Sequence, residues 1–405
     1  MIMDILDLQR LYTSHPNSSA MTSLLQDASV RTIFLGGLHA SAASLFFSTI
    51  FQSTSVPVLF ILNDLEEAGY FYHDLVQANG DKDILFFPSS YRRAIKYGQS
   101  DAASEILRTE VLNRLQNGDA FSIVTYPEAL AEKVVSAQRM DEHTLKLKVG
   151  MDYGVEHLEE VLFEHGFNLV DYVYEPGQYA VRGSIVDVYS FSSEYPYRID
   201  FFGNEIDSIR TFEVETQLSK EKKDVVVIVP ELLGKETSGS VPFLSYLPEQ
   251  TLVACKDLFW VKERIHTVHD EIISPQAVHA YEGDKRDLLK IGESLIDGPD
   301  FLSAVMPFKR IEFGNKPIDV PDASLSFDID PQPLYHKNFD LVSNSLTDYI
   351  ERGYTIYICT DSQKQAARLK DIFEERGDHI TFKEISAFGS TMQNCHMFVD
   401  SGTFV

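Results

Sequence analysis

Residues 175–217 read EPGQYAVRGSIVDVYSFSSEYPYRIDFFGNEIDSIRTFEVETQ. Pro176-Gly177 marks a turn. Residues 179–189 predict one strand, with Gly183 as a bulge or a point of close backbone approach. Residues 192–196 read as a loop. Tyr197, Ile199 and Phe201 then alternate with Arg198, Asp200 and Phe202, the period-two pattern of a half-buried strand. Gly203-Asn204 has the composition of a tight hairpin turn. Residues 205–212 return as the partner strand, although Ile206 and Ile209 break strict alternation. Asp187, Asp200 and Asp207 share these strands with Arg182, Arg198 and Arg210. Cross-strand ion pairing explains that mixture more simply than an acid-base set does.

The same residues resemble one family. Gly177-Gln178-Tyr179-Ala180-Val181-Arg182-Gly183, Asp187, the run 196–202, the run 205–212 and Gln217 are similar to the damage-repair module shared by UvrB and the transcription-repair coupling factor, Mfd. Ser190 departs from the family, which carries Pro there, and the Gly203-Asn204 turn is less acidic than the family's. The resemblance implies a small α+β domain that docks on UvrA, with Arg182, Arg198 and Phe202 contributing to the contact. Arginines beside aromatic side chains are also the composition of interface hot spots. Neutralisation of local acids within the sheet accounts for the two arginines equally well on physical grounds.

Outward from this segment, the 405 residues are too many for one ordinary domain. Hydrophobic residues make up 44% and charged residues 24%, a globular composition. The formal net charge of -26 repels phosphate, which argues against duplex DNA as a direct ligand of this segment. Two small basic clusters, Arg92/Arg93/Lys96 and Lys220/Lys222/Lys223, read as solvated surface. The three cysteines, Cys255, Cys359 and Cys395, are an odd number and suit a reducing compartment rather than a disulfide framework. The N-terminal residues lack the apolar core of a signal peptide, and no segment has the length of a membrane span. A cytoplasmic location is expected.

The chain divides by pattern. Residues 1–30 read as an N-terminal helix (4–12) and a linker, with 15–20 polar. Over 31–143, short apolar strands at 32–35, 56–62, 84–87 and 121–125 alternate with helices at 41–51, 65–78 and 102–115. That rhythm predicts a mostly parallel sheet covered by helices. Residues 144–230 form the inserted α+β domain, with a strand at 145–149, a helix at 155–165 and a closing apolar run at 225–230. Residues 231–312 complete the first domain, with a strand at 251–255 and a helix at 259–273. Residues 313–335, rich in Pro, Asp and Ser, read as an extended linker. Residues 336–405 read as a partial α/β unit. The expected class is α/β: a degenerate P-loop-type parallel sheet with a UvrB-like α+β insertion and a further C-terminal α/β unit.

The turn between the first strand and its helix, Gly36-Gly37-Leu38-His39-Ala40-Ser41-Ala42-Ala43-Ser44, lies where a phosphate loop belongs. A working loop needs Gly-x-x-x-x-Gly-Lys-(Ser or Thr). Counting from Gly37, the second glycine and the lysine are replaced by Ala42 and Ala43, and Ser44 alone remains. A Cβ crowds the backbone cradle and the compensating cation is gone. Asn63-Asp64 is a poor substitute for the acidic strand end that positions Mg²⁺. UvrB keeps an intact loop and a DNA-clamping hairpin, and this chain has neither, which favours the Mfd side of the resemblance. No catalytic residue, cofactor or metal is expected here.

His266 and His269 share a helix face with metal-compatible spacing. No partner carboxylates can be named, so a solvated face is the simpler reading. Cys395-His396 lacks an orienting group, and a buried thiol near a strand accounts for it. The functional expectation is an adaptor that imitates UvrB to recruit UvrA to RNA polymerase stalled at DNA damage and also packs against the rest of the full-length chain to restrain its motor. The resemblance implies that ATP hydrolysis, RNA polymerase and DNA belong to other domains of the full-length parent. Two other readings stay open: a divergent UvrB-like excision-repair ATPase acting on DNA, and a scaffold with no UvrA contact.

Overall fold

Apolar runs such as Val58–Ile61 and Leu252–Lys256 are too short for helices and too continuous for a sheet wet on one side. They become interior strands. The computed structural model describes residues 5–51, 56–79, 83–90, 102–118, 121–230, 239–273, 292–330, 333–336, 338–358, 363–377 and 397–400. In chain order the first elements are α1 (Ile5–Thr13), α2 (Pro16–Gln26), β1 (Thr32–Gly36), α3 (Ser41–Phe51), β2 (Val58–Ile61), α4 (Leu65–Asn79), β3 (Ile84–Phe86), α5 (Ala102–Gln116), β4 (Ser122–Thr125), α6 (Pro127–Ala131), β5 (Val134–Val135) and α7 (Ala137–His143). Next come β6 (Leu145–Lys148), α8 (Val155–Glu164), β7 (Asn168–Leu169), β8 (Gln178–Arg182), β9 (Ile185–Val188), β10 (Tyr197–Phe202), β11 (Glu205–Phe212), β12 (Ser219–Lys223) and β13 (Val225–Ile228). The chain continues through β14 (Ser240–Val241), β15 (Leu252–Lys256), α9 (Leu258–Ile273), α10 (Gly298–Val305), β16 (Lys309–Gly314) and β17 (Ala323–Ser326). Last are α11 (Phe339–Glu351), β18 (Thr355–Ile358), α12 (Gln363–Glu375) and β19 (Met397–Asp400), with β18 and β19 pairing antiparallel.

Seven strands form one sheet in the order β17-β1-β16-β15-β2-β4-β3, every pair parallel. Three of the seven come from beyond residue 230, so the chain on both sides of the 145–228 segment builds the same sheet. Helix α3 is the apolar cover of one face: Phe47 sits 5.3 Å from both Phe60 and Phe313, ring centroid to ring centroid. The α/β expectation holds. β6 pairs antiparallel with β13 from Leu145↔Ile228 to Lys148↔Val225, which brings the two ends of the intervening segment side by side. Between them lies a six-stranded sheet, β12-β11-β10-β9-β8-β7. Helix α8 packs Leu158 and Leu162 on its inner face, against Val186, Val188, Ile199 and Ile209.

Four expectations are corrected. The polar stretch 15–20 is not a linker: it opens helix α2, with His15 at the N-cap and Pro16 at the first helical position. Polarity misled because only Ser18 and Met21 turn inward, while Asn17 Nδ2 donates to the Ser326 carbonyl at 2.8 Å. Residues 313–335 are not only a linker, since β17 pairs with β1 and Phe327 enters the main core. The strand expected over 179–189 is two strands, β8 and β9, paired Arg182↔Ile185 around a turn in which Gly183 has φ +64°, so Gly183 is a hairpin residue and no bulge. The bulge lies instead on β11: Asp200 pairs with Ser208 and Phe201 with Ile206, leaving Asp207 extra, which is why Ile206 and Ile209 fall out of alternation yet are both buried.

Central strand β16 escaped the sequence reading because KRIEFG looks amphipathic and charged. Its charges are internal. Arg310 and Glu312 are both buried, 3.6 Å apart between Nε and Oε1. Arg310 Nη1 donates to the Met306 carbonyl at 2.9 Å, and Glu312 Oε2 accepts the Ile318 amide at 2.8 Å. Burial pushes the Glu312 carboxyl up. Lys309 Nζ reaches the carbonyls of Leu24 and Leu25 at 2.8 Å and Asp27 at 2.9 Å, satisfying the end of α2. Among the described residues no helix is long and apolar enough to cross a membrane.

His15 joins these layers. Its Nδ1 accepts the Asn17 amide at 3.1 Å, and its ring stacks on Phe327 with centroids 5.6 Å apart. Burial pushes its pKa below the ordinary 6.5. The folded form then binds fewer protons than the unfolded chain, so this stabilisation is complete above pH 6.5 and lost as pH falls below it. The midpoint temperature of the parent is expected to fall more steeply between pH 6.5 and 5 than that of His15→Asn, which caps without titrating. Parallel profiles in the two proteins would remove His15 from that role.

Candidate docking face on the inserted sheet

The outward face of the six-stranded sheet is set by register. Ala180, Asp187, Arg198, Arg210 and Lys222 stand directly across from one another on β8 to β12. The next row holds Arg182, Ile185, Asp200 and Ser208, and Phe202 follows at the hairpin end opposite Glu205. Alternation on β10 buries Tyr197, Ile199 and Phe201 and turns Arg198, Asp200 and Phe202 outward. Gly203, with φ +62°, makes the tight turn that leaves Phe202 at the tip.

Asp187 organises this face. It is fully buried, and its Oδ1 accepts Arg198 Nε at 2.8 Å while Oδ2 accepts Arg198 Nη2 at 2.9 Å. Arg182 Nη2 donates to the same Oδ2. Arg198 also lies over the Phe212 ring at 4.4 Å and donates from Nη1 to the Gln217 carbonyl at 3.2 Å. The hydrogen bonds to Asp187 hold the Arg198 pKa above its ordinary value. Arg182 has fewer ties. Its guanidinium sits 5.2 Å from the Tyr172 ring centroid. Asp200 pairs with Arg210, and Asp207 stands exposed on the bulge.

The three expected docking residues therefore share a face but differ in freedom. Phe202 is 83% exposed, the Arg182 side chain 35% and the Arg198 side chain 16%. An Arg198 substitution cannot leave the fold untouched, because it strips two hydrogen bonds from a buried carboxylate. Sequence reasoning missed Tyr172, Phe212 and Gln217 as supports of the arginines. Phe212 and Gln217 were visible as family residues without a role, and Tyr172 lies in a loop outside any period.

The loop expected to be a degenerate phosphate site joins β1 to α3. Gly37 has φ +77°, and a Cβ there would come within 2.0 Å of the Phe327 carbonyl oxygen. The Phe327 amide donates to the Gly36 carbonyl at 2.8 Å. Ala42 and Ala43 are buried, and the Ser44 hydroxyl lies 2.7 Å from Asp74 Oδ2. Beside the loop is a cavity of about 160 Å³ lined by Ser41, Ser44, Asp74, Lys256 and Phe313 among others. Lys256 reaches it from β15 but is ion-paired with Glu67.

Among the described residues no three His, Cys, Asp or Glu side chains gather to hold a metal. His266 and His269 both face Asp270, at 3.4 and 3.2 Å. Cys255 is buried, and burial pushes its thiol well up. Arg92, Arg93, Lys96, Cys359 and Cys395-His396 lie outside the described residues.

Loss of Arg198 should show in stability and loss of Phe202 should not. Arg198→Ala is expected to cost about 2–3 kcal/mol, since charge-assisted bonds to a buried acid are removed. Phe202→Ala should change stability by no more than about 0.5 kcal/mol. Urea unfolding of both variants measures the difference, and equal losses would refute the assigned division of labour.

Residues 145–232 match the family described as the UvrB interaction domain. Over 196 residues, 48% of this chain and 17% of the relative, the sequence is 31% identical to the transcription-repair-coupling factor of Bacillus subtilis (strain 168). It is 27% identical over 198 residues to that of Escherichia coli (strain K12), again 48% of this chain and 17% of the relative. The match to the Staphylococcus aureus (strain USA300) factor is 27% identical over 402 residues, 84% of this chain and 34% of the relative. The chain thus spans about a third or less of the curated relatives it matches. With its α/β sheet and the inserted sheet, the chain is similar to transcription-repair-coupling factors over as much as 84% of its length, and its residues 145–232 match the UvrB interaction domain.

Proposed function

We propose that this chain is an adaptor in transcription-coupled DNA repair, and that the outward face of its inserted sheet docks on UvrA. One observation carries the reading: an exposed Phe202 and a half-open Arg182 share a face held by Asp187, within the residues that match the UvrB interaction domain. A bare phenylalanine beside an arginine suits burial against an acidic partner surface. Residues 145–232 contain eight Lys and Arg against seventeen Asp and Glu, yet Arg182, Arg198, Arg210 and Lys222 stand together on this face. The fixed arginine geometry reduces the ordering cost of association. RNA polymerase, DNA and an ATP-driven motor are assigned to parts of the longer parent, and contact between this chain and those parts would restrain the motor until UvrA is needed.

The loop at Gly37 is assigned a structural role, with no nucleotide cofactor and no catalysis in this segment. Two features support it. The glycine serves a close approach by the Phe327 backbone, and Lys256, the lysine that lines the adjacent cavity, is engaged by Glu67. The docking reading favours the adaptor over the ATPase.

Titration calorimetry against UvrA is expected to give binding by the parent, weakened by about 1–4 kcal/mol in Arg182→Ala and in Phe202→Ala. Circular dichroism checks the fold of each. Parent-like affinity in both variants would place the docking site elsewhere. ATP with Mg²⁺ should leave the melting temperature of this chain unchanged, and a shift that depends on Mg²⁺ would revive the enzyme reading.

A further inference from the structure

The outward face of the inserted sheet is not bare throughout. At one end the chain between β7 and β8 folds over it, burying Val173 against Ala180 and Phe212, with Val170 and Tyr189 alongside. Val173 is fully buried, while the residues on either side of it stay in solvent: Tyr172 is 52% exposed and Tyr174 58%. Gln178 Oε1 accepts the amides of Tyr174 and Glu175 at 2.9 and 3.1 Å. The Val170 amide donates to the Tyr179 carbonyl at 2.9 Å. The loop is therefore pinned on both sides of Tyr172, and its tyrosines are presented without much freedom to lose. Tyr172 also meets Arg182 face-on at 5.2 Å, at the border where the covered end gives way to the open arginine.

We propose that the docking face continues onto this loop, and that Tyr172 and Tyr174 contact the same partner as Arg182 and Phe202. The inference rests on the docking reading above. It widens the contact from one arginine and one phenylalanine to a strip with Arg182 in the middle, aromatic at both ends. The partner surface it fits carries a carboxylate for Arg182 and apolar ground on both sides of it. Tyrosine suits such a place: its ring buries a large area at the cost of two torsions, and its hydroxyl remains hydrogen-bonded at a wet rim.

The experiment is calorimetry of UvrA with the whole chain and its variants. Tyr172→Ala and Tyr174→Ala are expected to weaken binding by about tenfold each, Tyr172→Phe by no more than about threefold. Phe163→Ala is the control, because Phe163 is exposed on α8, across the sheet from the arginines, and should bind like the parent. Melting curves confirm that the fold is kept. If the parent itself does not bind UvrA, the docking reading fails. If the parent binds and the tyrosine variants match it, the docking reading stands and this inference is overturned. A double variant separates contact from orientation: Tyr172→Ala should still weaken binding about threefold or more in an Arg182→Ala background. Loss of that effect would mean the ring only steers Arg182, which also overturns direct contact.

Discussion

The first domain exists as one sheet because β16 stands between β1 and β15. Everything else is arranged around that placement. The chain must travel through the whole inserted domain before the strand that joins β1 to the rest is made. The insertion can be tolerated because its own ends meet, through β6 and β13. The N-terminal helix α2 has its last carbonyls satisfied by Lys309, at the start of β16. The turn after β1 is closed by the chain that follows β17. Pairing between residues almost three hundred positions apart is entropically slow to find. It also makes the two sequence halves of the domain mutually dependent.

Charge is used differently in the two sheets. In β16, Arg310 and Glu312 are spent inside the molecule, each also bonded to backbone. In the inserted sheet, Asp187 holds two guanidinium groups at the edge of solvent and leaves part of one exposed. The first arrangement satisfies a buried strand. The second turns a pair of ions into a shaped surface, because a carboxylate beneath an arginine fixes where its remaining N–H groups point.

Much of this was legible in the sequence. Period-two alternation located β10 and β11 to the residue, and the Gly203-Asn204 turn between them. The βα rhythm located the ends of β1 to β4 to within two residues. The failures share a cause: local composition was overruled by partners far away in the chain. The polar 15–20 stretch became helix because Ser326 receives Asn17 and Lys309 closes the far end of the helix it opens. KRIEFG became a central strand because its charges neutralise each other. Residues 323–326 became an edge strand because β1 was there to pair with. At the candidate site, the common face of Arg182, Arg198 and Phe202 followed from strand parity, but the ranking of their exposure did not. That ranking depends on Asp187 and Phe212, which bind Arg198 down and leave Phe202 alone.

The contact between Gly37 and Phe327 changes how the turn after β1 should be interpreted. A glycine in a phosphate loop is ordinarily taken as a relic when its lysine has gone. Here no side chain could stand at that position without pushing aside the backbone of another strand's extension. The residue has a present employer. The packing of a neighbouring segment is enough to require a glycine at such a turn, so part of a phosphate-loop signature is by itself no measure of what the loop binds.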